Sequence, residues 1–232
     1  MASIARVSAS LVAVGSVRPG ARQESSPVPA RFLGSGFSIG EGNRVVTSLH
    51  VVDQDIPVSE RLAVFSGTGR RMEMRSAVIE HRDELHDLVV LRIERAIIPA
   101  LRLADAEWVP VGTSVAFSGF PLGVNTGIYP VTHRAMISAV TPLASPVGRS
   151  ESLSAAHLRA QREGFMVYQL DGMVLAGHSG SPVYNTLSGD VVGVAMGSIK
   201  IAQEASGVPR ASGIGYVIPV KYLHGLLAEA EE

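Results

Sequence analysis

Short strand-like runs of Val, Ile, Leu and Phe, parted every few residues by Gly, Pro, Ser, Asn or Asp, recur along nearly the whole 232-residue chain. They fall at about 32–39, 44–48, 61–66, 71–80 and 87–93, then at about 113–118, 131–140, 165–171, 181–185, 190–197 and 214–219. Helical periods do not alternate with them as a parallel sheet would require, so the spacing predicts an all-β fold of barrels or sandwiches. Ala5, Val7, Ala9, Leu11 and Ala13 alternate with Arg6, Ser8 and Ser10, which predicts a further strand from Ala5 to Ala13. Arg18 to Arg31, rich in Pro, Gly and Ser, reads as a loop. Pro99 to Val111, with the single Trp108, reads as a crossing between two halves, and Tyr222 to Glu231 as a C-terminal helix. Leu143 to Phe165 is an insert in which Ser152 to Gly164 has serine caps, helix formers and a glycine stop, the pattern of a short helix.

Composition narrows the chemistry. Hydrophobic residues make up 46% and charged residues 18%, which excludes a disordered chain. The net charge of −1 and the lack of a Lys/Arg cluster exclude an electrostatic nucleic-acid footprint. With no cysteine, thiolate nucleophiles, disulfide scaffolds and thiolate zinc sites are excluded together. No segment is long and apolar enough to span a bilayer as a helix. A core of this size needs no disulfides, so cysteine usage does not fix the compartment. A cytoplasmic location is the expectation, a periplasmic or secreted one the alternative.

Gly177-His178-Ser179-Gly180-Ser181-Pro182-Val183 reads as a serine in a glycine-rich turn before a strand. Glycines on both sides permit positive φ, which can aim the N–H groups of Gly177 and Ser179 at one point as an oxyanion hole. The bland alternative is a surface turn that happens to hold serine. A nucleophilic serine needs a base, and a neutral histidine needs a carboxylate to fix its tautomer. His50 follows the run Arg44-Val45-Val46, where a strand ends, and Asp87 stands at the mouth of Leu88-Val89-Val90-Leu91. The order His50, Asp87, Ser179 is that of chymotrypsin-type enzymes and differs from α/β-hydrolases and subtilisins. Asp83 is the alternative acid; Asp87 is preferred because an apolar strand follows it at once. His81, Asp83, Glu84 and His86 offer no closed ligand set and read as loop solvation, so no metal and no cofactor is expected. Gly34, Gly36, Gly40 and Gly42 miss the dinucleotide-binding spacing and read as turn formers.

Four segments resemble the trypsin/chymotrypsin-fold serine proteases, nearest the HtrA-like (DegP-like) bacterial branch. Gly34-Ser35-Gly36-Phe37 leading to Thr47-Ser48-Leu49-His50-Val51-Val52 is similar to that family's GSGF…T-x-x-HVV block. Asp87-Leu88-Val89-Val90-Leu91 resembles its aspartate strand, and Gln169-Leu170-Asp171 with Gly177 to Pro182 resembles QTD…GNSGGP. Gly189-Asp190-Val191-Val192-Gly193-Val194 and Gly213 to Val220 resemble GEVVGI and GIGFAIP. The match covers residues 3–224. It implies two packed six-stranded Greek-key β-barrels in a single peptidase domain, about 1–105 and 106–232, ending in a short helix. It further implies a serine endopeptidase acting on protein or peptide substrates through an acyl-enzyme, with Ser179 as nucleophile, His50 as base and Asp87 as orienting acid. The family's protease domain usually continues into a PDZ domain, and the resemblance here is to the protease domain without one. A non-cutting, peptide-binding protease fold is the alternative function.

Two positions depart from the family pattern. Ser181 replaces the second glycine of GGP, and His178 stands where Asn or Asp is usual; His178 is expected as a partly exposed loop residue. In trypsin an acidic residue six positions before the nucleophile selects Lys and Arg; here that position is Met173. With Val194, Ala195 and Met196 as the far wall, the pocket is expected to accept Val, Ala, Leu or Met loosely. Asp171 is expected to hydrogen-bond structurally.

Overall fold

The computed structural model describes residues 2–18, 30–69, 72–93, 98–121, 128–143, 165–201 and 210–229, so the helix expected at 152–164 lies outside the described residues. Six strands, β1 (Leu11–Val17), β2 (Ala30–Ile39), β3 (Arg44–Ser48), β4 (Arg61–Ser66), β5 (Glu73–Asp83) and β6 (Leu88–Ile93), close into one barrel in the order β1-β2-β3-β6-β5-β4. Six more, β7 (Ser114–Gly119), β8 (Val131–Pro142), β9 (Met166–Leu170), β10 (Pro182–Asn185), β11 (Val191–Ile201) and β12 (Arg210–Pro219), close a second in the order β10-β11-β12-β9-β8-β7. The pairings within both barrels are antiparallel. Closure gives each backbone edge a partner, which an open sheet of such apolar strands would lack. The result is the all-β, chymotrypsin-like pair of six-stranded barrels, with helix α3 (Val220–Glu229) at the end.

The period-2 patterning sorts the side chains into three cores. Val12, Val14, Leu33, Val45, Val64, Ala77 and Leu91 fill the first barrel from all six of its strands. Val115, Phe117, Ile137, Tyr168, Val183, Val192 and Val217 do the same for the second. Leu11, Ala13, Phe37, Val46 and Val90 join Phe120, Val194, Met196 and Ile218 in a third cluster shared by both halves. β1 is therefore buried along its whole length. Packing of one barrel on the other creates the seam in which the serine turn lies.

The start of the chain differs from its expected strand. Helix α1 spans Ala2–Ser8, and β1 begins only at Leu11. Ile4 and Val7, three apart, pack toward the shared core while Arg6 and Ala9 are exposed. A segment of small Ala and Ser residues satisfies both periods, and burial of the helical one decides. β2 begins at Ala30, inside the stretch expected to be loop. The crossing segment adheres to both barrels: Leu101 N–H donates to Ser38 O at 2.8 Å, and Ala104 N–H to Val191 O at 2.8 Å. No helix among the described residues is long and apolar enough to cross a membrane.

Candidate active site

His50 sits in the four-residue helix α2 (Leu49–Val52), which starts where β3 leaves the sheet. Leu49, Val51 and Val52 are buried, so the turn is anchored by its apolar residues while His50 is turned outward. Asp87 ends the turn between β5 and β6. Its φ is +55°, the one positive value at a non-glycine residue among those described. Asp tolerates this region better than most residues, yet the conformation persists only if its surroundings enforce it. They do so through His50. The Asp87 carbonyl accepts Leu49 N–H at 2.9 Å, Asp87 Oδ1 accepts His50 N–H at 2.8 Å, and Asp87 Oδ2 lies 2.6 Å from His50 Nδ1.

This contact sets the charge balance of the imidazole. Burial works to lower the pKa of His50, and the Asp87 charge and hydrogen bond outweigh it, holding the ring above its ordinary 6.5. The side chain is still 34% exposed, enough for its far edge to meet a ligand.

The serine turn is held from both barrels. Gly177 has φ +89° and Gly180 φ +85°. A Cβ on Gly180 would lie 2.1 Å from Ser35 O and 2.2 Å from Thr47 Oγ1, so only glycine lets the turn close onto the end of β3, two residues before His50. Gly180 N–H donates to Ala195 O at 2.8 Å, and Ser179 Oγ donates to Met196 O at 2.9 Å. Ser35, on β2, is the tie that sequence reasoning overlooked. Its N–H donates to Ser179 O at 2.9 Å, its hydroxyl donates to Gly177 O at 2.6 Å and accepts Phe120 N–H at 2.9 Å, and its carbonyl accepts Thr47 Oγ1 at 2.7 Å. The available signal is its place in the Gly34-Ser35-Gly36-Phe37 block, which reads as a family resemblance and as glycine turns without assigning the hydroxyl a partner.

His178 differs from expectation. It is fully buried, edge-on to Phe117 (centroids 5.3 Å apart) and to His133 (5.0 Å). The side chain preceding Ser179 thus packs edge-on against Phe117 of β7 and His133 of β8, which are cross-strand partners stacked on each other. Burial first, and His133 second, push its pKa down to about 4. The Val131 and Leu175 carbonyls favour the protonated ring, but neither ring nitrogen reaches hydrogen-bonding geometry with a partner among the described residues. The buried Ser181 hydroxyl also lacks a partner among the described residues.

Of the expected pocket residues, Met173 is 40% exposed, whereas Val194 and Ala195 are fully buried and Met196 nearly so. Val194 packs in the shared core and Ala195 in the second barrel. The latter stretch therefore meets the turn through its backbone, Ala195 N–H donating to Ser181 O at 2.9 Å beside the two carbonyl contacts above. Asp171 Oδ1 accepts Met136 N–H at 2.7 Å. Asp83, the alternative acid, faces His86, with Oδ2 2.6 Å from Nδ1. His86 is not a solvated loop residue as expected, because its ring stacks on Tyr222.

The family model for the trypsin-like peptidase domain matches residues 34–194. A probable periplasmic serine endoprotease, DegP-like, of Halomonas elongata is 28% identical over 203 residues, spanning 87% of this chain and 35% of the relative. The mitochondrial serine protease HTRA2 of Drosophila pseudoobscura pseudoobscura is 26% identical over 203 residues, spanning 86% and 39%. The chain thus spans little more than a third of these relatives' length. Among solved structures, the active form of a protease from M. tuberculosis superposes with a TM-score of 0.66 at 24% identity, covering 98% of this chain and 83% of that one. A serine endoprotease from Yersinia pestis gives 0.65 at 21%, covering 98% and 65%.

Proposed function

Since the chain belongs to the trypsin-like peptidase family, we propose that it is a serine endopeptidase that cuts protein or peptide substrates with His50, Asp87 and Ser179. The observation that carries this reading is the two-point hold of Asp87 on His50, at 2.8 and 2.6 Å. A carboxylate bound to both the backbone N–H and Nδ1 fixes the ring so that Nε2 serves as the base. Ser179 attacks the scissile carbonyl and passes its proton to His50, which returns it to the leaving amine. A serine has one O–H, so the bond to Met196 O is given up as the proton transfers. The N–H groups of Gly177 and Ser179 receive the developing oxyanion; positive φ at Gly177 turns the peptide for that task. Water then hydrolyses the acyl-enzyme by the same proton path in reverse.

Met173, 40% exposed, offers apolar surface and no carboxylate to the residue before the cut, which favours aliphatic side chains with loose discrimination, about 1–3 kcal/mol per methylene. Asp171 is engaged with Met136 N–H, which supports a structural role over selection of Lys or Arg. Digestion of casein and of a peptide library tests the reading. Cleavage after Val, Ala, Leu or Met that disappears in Ser179→Ala is the expected result. A profile dominated by Arg or Lys would overturn the pocket assignment, and undigested substrate would favour the binding-module reading.

A further inference from the structure

The fold contains a second Asp–His pair beside the first, its aspartate four residues before Asp87. Asp83 Oδ1 accepts His86 N–H at 3.0 Å, and Oδ2 lies 2.6 Å from His86 Nδ1, repeating the two-point hold of Asp87 on His50. Asp83 ends β5 and His86 precedes Asp87, so this pair closes the turn whose last residue is held at φ +55°. A left-handed non-glycine residue needs such enforcement. The His86 ring also leaves its own barrel. It stacks on Tyr222 of α3 at 3.9 Å and 16°, and meets Phe165, just before β9, edge-on at 5.0 Å. Tyr222 is itself pinned, its hydroxyl accepting Met166 N–H at 3.2 Å. The titratable groups facing His86 are thus Asp83 on its own turn and Tyr222 on α3, with Phe165 the apolar third side.

We propose that Asp83 and His86 are positioning residues for the reaction: they lock the Asp87 turn and anchor it, through Tyr222 and Phe165, to the C-terminal helix and the second barrel. This rests on the reading of Asp87 as the orienting acid. The aim of the carboxylate at His50 is then set by contacts between barrels as well as by the β5–β6 turn. His86 touches no reacting atom and acts through Asp87 alone.

The test is the pH dependence of casein hydrolysis and of fluorophosphonate labelling in the full chain. Misaiming a catalytic group by about 1 Å costs up to about 100-fold. His86→Ala should therefore lower kcat about 10- to 100-fold with little change in KM, and move the acid limb down toward 6.5 as the hold on His50 loosens. Tyr222→Ala should shift the limb the same way, and Tyr222→Phe, which keeps the stacking ring, should restore it. Should His86→Ala fail to fold, Asp83→Asn weakens the same pair at constant volume and should shift the limb likewise. A folded His86→Ala or Asp83→Asn with lowered thermal stability but wild-type kcat and acid limb would overturn the proposal. Asp87→Asn in the same assay separates the two levels: near-normal turnover there overturns the acid assignment itself, whereas its loss beside an unaffected His86→Ala overturns only the positioning role.

Discussion

Asp87 grips His50 at two points, Oδ1 on the backbone N–H at 2.8 Å and Oδ2 on Nδ1 at 2.6 Å. One residue thereby fixes both the place of α2 and the tautomer of its histidine. Asp87→Asn keeps the shape but presents an amide donor or a neutral oxygen to Nδ1. It should lower kcat by about 10⁴ at neutral pH, the magnitude known for the corresponding change in the chymotrypsin-type template. Steady-state casein hydrolysis by the folded variant measures it.

The net upward shift of His50 predicts the acid limb. The base must be neutral to accept the serine proton, so kcat/KM should climb with pH through a midpoint above 6.5, the ordinary value. The same shift acts on stability: a folded pKa above the unfolded one contributes stabilisation below 6.5 that is lost as pH rises through the folded value. A kcat/KM profile with its acid midpoint at or below 6.5 would contradict the charge balance described.

His178 works in the opposite sense. Its folded pKa of about 4 lies below the unfolded 6.5, so the unfolded chain binds the proton first and stability is lost as pH falls from 6.5 toward 4. The full span corresponds to about 3 kcal/mol. Denaturant titrations between pH 7 and 4 should show this slope, and His178→Asn should flatten it.

Most of the barrel strands and the His, Asp, Ser order were legible because period-2 alternation and turn residues act locally. β3 and β4 occupy the expected residues, and most others begin or end within a few positions. What escaped depends on contacts distant in sequence. The exposure of His178 is decided by Phe117 and His133 on other strands, and the role of Ser35 by partners 142 and 85 residues away. α1 escaped because alternating Ala and Ser fit helix and strand equally, and only burial of Val7 separates them.

Ser35 supplies a further test. Ser35→Ala removes the donor to Gly177 O and the acceptor of Phe120 N–H inside the seam. Leaving buried groups unpaired costs about 1–3 kcal/mol each, so the variant should unfold at lower denaturant. It should also label more slowly with fluorophosphonate, since the serine turn loses its tie to β2.

The proposed chemistry, proton transfer between Ser179 and His50 with backbone N–H groups at the oxyanion, assigns no step to a metal. Casein hydrolysis should therefore be the same with and without EDTA; loss on chelation would argue for a different mechanism.

The central claim is that Ser179 is the nucleophile activated by His50. Mass spectrometric mapping of the fluorophosphonate adduct on the wild-type chain measures it most directly. The account predicts one adduct, on Ser179, formed at neutral pH and suppressed in His50→Ala. An adduct on another residue, or unlabelled Ser179 in the folded protein, would contradict it.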